Sequence, residues 1–181
     1  MAPRVPKTEP EGLGDHLTAM LGAVPEPIEV MWHSPKAATA ALEFGAKVGD
    51  WDAVDESLKS FAHMAVAAQV GCGWCLDVGY FMAQNLNLDM AKASEVPRWR
   101  SSTAFTPLER DVMEYAEAMT TTPTTVTDEL SERLLEELGP AGLVELAAYI
   151  GFSNFSTRCN TALGVESQEF SADCEIPLAT R

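Results

Sequence analysis

Leu58-Lys59-Ser60-Phe61-Ala62-His63-Met64-Ala65-Val66-Ala67-Ala68-Gln69-Val70-Gly71-Cys72-Gly73-Trp74-Cys75-Leu76-Asp77 reads as one helix, a break, and the start of another. Traced back to Trp51, the apolar residues Val54, Leu58, Phe61, Ala62, Ala65 and Val66 recur at steps of three and four, the spacing of a single buried helical stripe. Asp55 and Lys59 stand four apart and are expected to pair on the outer side. Gly71 suits the left-handed backbone at a helix C-terminus, so the first helix is expected over about Trp51 to Val70. The second opens at or near Cys72 and carries Tyr80, Phe81, Met82 and Leu86. The two cysteines therefore lie at a helix–helix junction.

The same periodicity extends in both directions, and no run of β-branched residues alternates with polar ones, so the fold class is all-α. Thr106-Pro107-Leu108-Glu109 has the pattern of a helix start, with a capping Thr, Pro in the first turn and Glu placed to complete a capping box. Thr127 can cap a further helix with Asp128 and Glu129 in its first turn, and Gly139-Pro140 is expected to end it. From Ala141 to about Leu163 the chain is apolar on nearly all sides, which predicts a helix through the core or at an oligomer interface. Upstream, Pro27 to Val48 contains helical material, with Ser34 as a possible cap and Pro35 after it. The expected organisation is a flexible segment over 1–12, one helical domain over 13–170, and a surface tail over 171–181.

Acidic residues outnumber basic ones by 27 to 12, giving a formal net charge of −15 that repels phosphate backbones and anionic membranes. Arg98 and Arg100 around Trp99 are too few to make a nucleic-acid surface. Met1 to Gly12 contains no apolar stretch of signal-peptide length, and no segment has the uninterrupted apolar length of a membrane helix; a cytoplasmic location is the expectation. In that compartment thiols stay reduced, so a Cys-x-x-Cys pair reads first as a redox or metal site.

Cysteines at i and i+3 in a helix-opening turn share a face and lie within reach of a disulfide. The unpaired amides and dipole of the helix N-terminus favour a thiolate, the attacking species toward a peroxide or a disulfide. One sulfur attacks and its neighbour resolves the sulfenic acid or mixed disulfide. A purely structural disulfide is disfavoured by the compartment, and simple core packing and a zinc site are the remaining alternatives. Zinc is the weaker of these, because Cys159 and Cys174 are the only other thiols and neither has a His near it. His16 and His33 fall in the weakly patterned front part with no second catalytic group beside them.

The segment Leu58 to Asp77 resembles the carboxymuconolactone decarboxylase and alkylhydroperoxidase D-like family, in which a helix leads into Gly-Cys-x-aromatic-Cys at the start of the next. The resemblance continues to Glu145-Leu146-Ala147-Ala148-Tyr149-Ile150-Gly151-Phe152-Ser153-Asn154-Phe155 and covers about residues 40 to 165. It implies a multihelical bundle that assembles into homo-oligomers, trimers or hexamers, and calls for no cofactor and no metal. It also implies that Cys75 attacks the peroxide and Cys72 resolves. The proton relay of the peroxidases does not carry over: their Glu twelve residues before the first cysteine is Ser60 here, and their His four after the second is Gly79. Such chemistry needs a base for the thiol and an acid for the leaving group. His63, one turn beyond Ser60 on the same face, is the candidate substitute. Asp77, two residues after Cys75, is expected to point away toward a basic partner or solvent, and Trp74 to pack while restricting access to the sulfurs. The decarboxylases of the family generally lack the cysteine pair, which argues against that activity.

These residues imply a thiol-dependent disulfide oxidoreductase or hydroperoxide reductase, re-reduced by an external dithiol. The alternative is a family member without peroxidase power, serving as an oligomeric redox sensor or as a binder of small apolar ligands.

Overall fold

Asp55 starts the central helix: its carboxylate accepts the Ser57 N–H at 2.8 Å, which satisfies one of the amides a helix N-terminus leaves unpaired. In the computed structural model, which describes residues 3–179 (Met20 by its backbone alone), the helices are α1 Gly14–Leu21, α2 Glu26–Met31, α3 Pro35–Gly49, α4 Glu56–Val70, α5 Gly73–Asn85, α6 Met90–Glu95, α7 Pro107–Thr120 and α8 Asp128–Leu163. A single 3-10 turn, Val96–Arg98, follows α6. Among the described residues there is no strand, and the chain is all-α. No described helix is long and apolar enough to cross a membrane.

The central helix α4 packs against α5, α7 and α8. It supplies Phe61, Met64 and Val66, which meet Tyr80 from α5, Val112 and Met113 from α7, and Leu134, Leu146 and Ile150 from α8, all essentially excluded from solvent. Each such side chain contributes about 1.5–3 kcal/mol of transfer free energy, enough to fix α4 in place.

The first turn expected from Trp51 is instead a loop, and the physical reason is Lys59. It is buried rather than paired outward with Asp55: its Nζ donates to the Trp51 carbonyl at 2.7 Å and lies 3.0 Å from Glu56. Glu145 of α8 accepts the Ala53 and Val54 N–H groups at 2.8 and 3.0 Å, so the loop's amides are satisfied without helix. The Thr106 capping box and the Thr127 cap both form. Ser34 precedes α3 but makes no side-chain cap, and Trp32 to Ser34 separate α2 from α3. Gly139, with φ 68° and ψ 175°, breaks α8 into two segments.

The second segment of α8 sends one face into the core and leaves apolar residues on the other. Val144 and Phe155 face outward at 71% and 45% exposure, while the buried side runs Leu146, Ile150, Ser153, Thr157, Asn160 and turns polar halfway along.

Both terminal segments of the described residues lie against the bundle. Arg4 N–H donates to Leu163 O, its guanidinium to Thr161 O and Ala162 O, and Lys7 pairs with Glu26 at 2.7 Å. The C-terminal segment crosses α5, where Tyr80 Oη donates to Ile176 O at 2.6 Å, and reaches α6, where Ala179 N donates to Ser94 O.

Candidate functional site

Gly71, at φ 80°, closes α4, and the N–H groups of Gly71 and Cys72 both return to Ala67 O at 2.9 Å. This turn delivers Cys72 to the N-cap of α5 with an extended backbone, and its Sγ accepts the Cys75 N–H at 3.2 Å. Cys72 and Cys75 are joined as a disulfide, Cα atoms 5.3 Å apart, both at most 2% exposed. The second sulfur also has a donor: Asn160 Nδ2 of α8 lies 3.3 Å from Cys75 Sγ. In the reduced protein, these N–H groups would stabilise a thiolate against the burial that opposes charge.

His63 projects from α4 into the same junction. Its Nε2 lies 3.3 Å from the Cys75 carbonyl, which only accepts, so Nε2 carries the hydrogen and Nδ1 accepts from Ser153 Oγ at 3.2 Å. Burial outweighs the Cys75 hydrogen bond and lowers the imidazole pKa, holding the ring neutral near pH 7. Its hydrogen bond is thus to the backbone of Cys75 rather than to a sulfur. Gly79 makes room for it: a Cβ at 79 would stand 3.0 Å from His63 Cδ2 and 3.2 Å from Met64 Cγ. The space in front of position 79 is filled by an imidazole arriving from α4.

Asp77 corrects the expectation of a basic partner or solvent. It is 6% exposed and accepts from Ser167 Oγ (2.7 Å), Phe170 N (3.0 Å), Ser171 N (2.8 Å) and Ser171 Oγ (2.7 Å). Burial would raise the carboxyl pKa, but the Ser171 and Ser167 hydrogen bonds outweigh it and hold it below the usual range. Trp74 donates its indole N–H to Gln168 Oε1 at 2.8 Å and meets Phe170 edge-on with centroids 6.4 Å apart. Gln168 also accepts the Glu26 N–H and donates to Val24 O, tying Trp74 to the start of α2.

Sequence reasoning brought Cys72, Cys75 and His63 forward, and the fold brings all three together. It missed Ser153, Asn160 and Gln168. For the α8 pair the signal was present: positions 146, 150, 153, 157 and 160 keep one helical face while changing from Leu and Ile to Ser, Thr and Asn. Gln168 lies in aperiodic chain and left none. His16 is exposed on α1, and His33 bonds the Pro6 carbonyl at 2.7 Å. Cys159 and Cys174 form no disulfide, and among the described residues no group of three or more His, Cys, Asp or Glu could hold a metal ion.

A model of the carboxymuconolactone decarboxylase family matches residues 35–118, the stretch from α3 through most of α7 that contains the whole dithiol junction. The chain belongs to the carboxymuconolactone decarboxylase family. The uncharacterized protein YnjA of Escherichia coli (strain K12) is 34% identical over 124 residues, 68% of this chain and 66% of YnjA's length. Among solved structures, an uncharacterized peroxidase-related protein of Ralstonia eutropha JMP134, described as an alkylhydroperoxidase AhpD core, superimposes with TM-score 0.83 at 18% identity over 97% of both chains. The debrominase Bmp8, as a variant in complex with 2,3,4-tribromopyrrole, gives 0.78 at 21% identity over 90% of this chain and 87% of Bmp8. At these identities the likeness is one of fold alone. Asn160 and Ser153 lie outside the matched stretch.

Proposed function

We propose that the protein is a dithiol–disulfide oxidoreductase that cycles between reduced Cys72/Cys75 and the disulfide. The observation that carries this reading is the disulfide at the N-terminus of α5, with one N–H donor on each sulfur. In the reduced form the Cys75 thiolate attacks a sulfur of the substrate disulfide, giving a mixed disulfide and a departing thiolate that takes up a proton. The Cys72 thiolate then attacks Cys75 Sγ, forming the internal disulfide and releasing the second substrate thiolate. Two electrons pass from the dithiol to the substrate, and an external dithiol restores them. A hydroperoxide enters the same cycle: Cys75 takes the distal oxygen as sulfenic acid, the alkoxide leaves and is protonated, and Cys72 displaces water.

His63 serves here as a positioning residue, its Nε2–H holding the Cys75 carbonyl in the first turn of α5. Because both ring nitrogens are engaged, disulfide exchange is expected to outpace peroxide reduction, which demands an acid for the leaving group. Assembly into a homo-oligomer, trimer or hexamer, is part of the proposal on the family resemblance.

The test is turnover of a model aromatic disulfide and of cumene hydroperoxide by protein reduced with dihydrolipoamide. Faster consumption than by Cys75→Ser is expected for both, with the disulfide ahead. Equal rates for wild type and Cys75→Ser would overturn the enzyme reading.

A further inference from the structure

Next to the dithiol is a cavity of about 300 Å³ that the exchange reaction above does not account for. Pro27 and Met31 of α2, Leu42 of α3, and Phe152 and Phe155 of α8 form its walls. Gly45 admits the Phe152 ring, since a Cβ there would stand 3.2 Å from Phe152 Cζ. No charged side chain lines it, in a chain of net charge −15. Besides the Trp74 indole N–H, which is engaged by Gln168, side-chain polar atoms come from Ser156, Cys159 and Asn160.

Two lining residues belong to the dithiol site. Trp74 stands between the cysteines and is held by Gln168. Asn160 is 4% exposed and directs its Nδ2 at Cys75 Sγ. The cavity thus runs from a rim at exposed Leu42 and Phe155 to a floor made by the side chain that touches the attacking sulfur.

We propose that this cavity is the substrate pocket of the dithiol and takes an uncharged, largely apolar small molecule, with Asn160 as the wall shared by pocket and sulfur. The proposal rests on the redox reading for its purpose but not for its test. A volume at the small end of ligand pockets, apolar walls and one buried polar group at the floor are the features of a small-molecule site rather than of a groove for a helix. With no cation to receive it, an anion loses its hydration without compensation there.

Binding is read in a Cys72→Ser/Cys75→Ser variant, which cannot turn over, so failure of the redox reading leaves the measurement intact. The probe is neutral N-phenyl-1-naphthylamine, with anionic 8-anilinonaphthalene-1-sulfonate as its counterpart. Saturable one-site binding of the neutral probe is expected, about tenfold tighter than the anion, and weakened at least about tenfold by Ala41→Phe, which fills the cavity. If circular dichroism shows Ala41→Phe misfolded, Leu42→Glu at the exposed rim takes its place. In a reduced Cys159→Ser/Cys174→Ser background, the neutral probe is expected to slow alkylation of Cys75 by N-ethylmaleimide about threefold or more. No saturable binding, binding indifferent to both substitutions, or unprotected Cys75 would each overturn the proposal. So would a wild-type dimer that binds no probe and dissociates on Leu42→Glu, which would make the cavity an interface between copies.

Discussion

The helix α5 has two faces of opposite chemistry. Toward α4 and α8 it turns Cys75 and Gly79, and the groups that meet them are a neutral imidazole and a carboxamide. Toward the C-terminal segment it turns Asp77, a full anion held by four donors from Ser167, Phe170 and Ser171. Both sites are buried, yet they use burial differently. At Asp77, hydrogen bonds stabilise a charge that never needs to change, and the result is a fastened chain end. At Cys75 a single donor per sulfur, against four on the carboxylate, leaves the sulfurs less fastened, as the proposed thiol–disulfide cycle requires.

That contrast breaks most completely at the sulfurs. Cys75→Ser is expected to lower disulfide turnover by at least about a hundredfold. Cys72→Ser, which keeps the attacking thiol, is expected to accumulate the mixed disulfide, visible by intact mass. A Cys72→Ser protein that turns over freely would show that no resolving thiol is needed. On the other face, Asp77→Ala should cost about 2–3 kcal/mol, lowering Tm by roughly 4–12 °C and exposing 165–179 to proteolysis, with the Cys75 titration unmoved. The sign with pH follows from the depressed carboxyl: the stability it contributes is full above the unfolded carboxylate range and is lost as pH falls through the folded value. Wild type and Asp77→Ala should therefore converge in acid, and parallel profiles would remove the carboxylate from the account.

The asymmetry was only half legible in the sequence. Spacing from Leu58 to Val70, Gly71 and the Thr106 and Thr127 caps specify helices through local rules that hold in any surroundings, and they appear as expected. Lys59 and Asp77 did not: beside its local pair with Glu56, Lys59 is held by the Trp51 carbonyl under Glu145, and Asp77 by Ser167 to Ser171, contacts that exist only after the chain has folded back. A charged residue outside the apolar stripe reads as solvated unless the donor that buries it can be seen. Asn160 was hidden for a related reason: it lies 85 residues from the sulfur it touches, in a helix whose apolar content drew attention away from its polar stripe.

Asn160→Ala sharpens the sulfur side alone. Losing the carboxamide donor should raise the Cys75 thiol pKa and leave less thiolate at a given pH below it, readable from thiolate absorbance near 240 nm against pH. An unchanged titration would mean that the contact serves packing only.

The smallest effect belongs to His63, where the sign runs through a base rather than an acid. Burial lowers its pKa in the folded protein, so between that value and the unfolded value of about 6.5 the unfolded chain binds more protons. Stability should consequently fall as pH drops below about 6.5, with a slope of at most about 1.4 kcal/mol per pH unit from this group. His63→Gln cannot titrate and should lose that slope while keeping an amide donor near the Cys75 carbonyl. Urea melts of both proteins at pH 7, 6 and 5 measure it: the gap between them should change steadily in favour of the variant toward acid. A constant gap would show that the imidazole is not held neutral at the junction, and the absence of charge on the sulfur-bearing face of α5 would no longer follow.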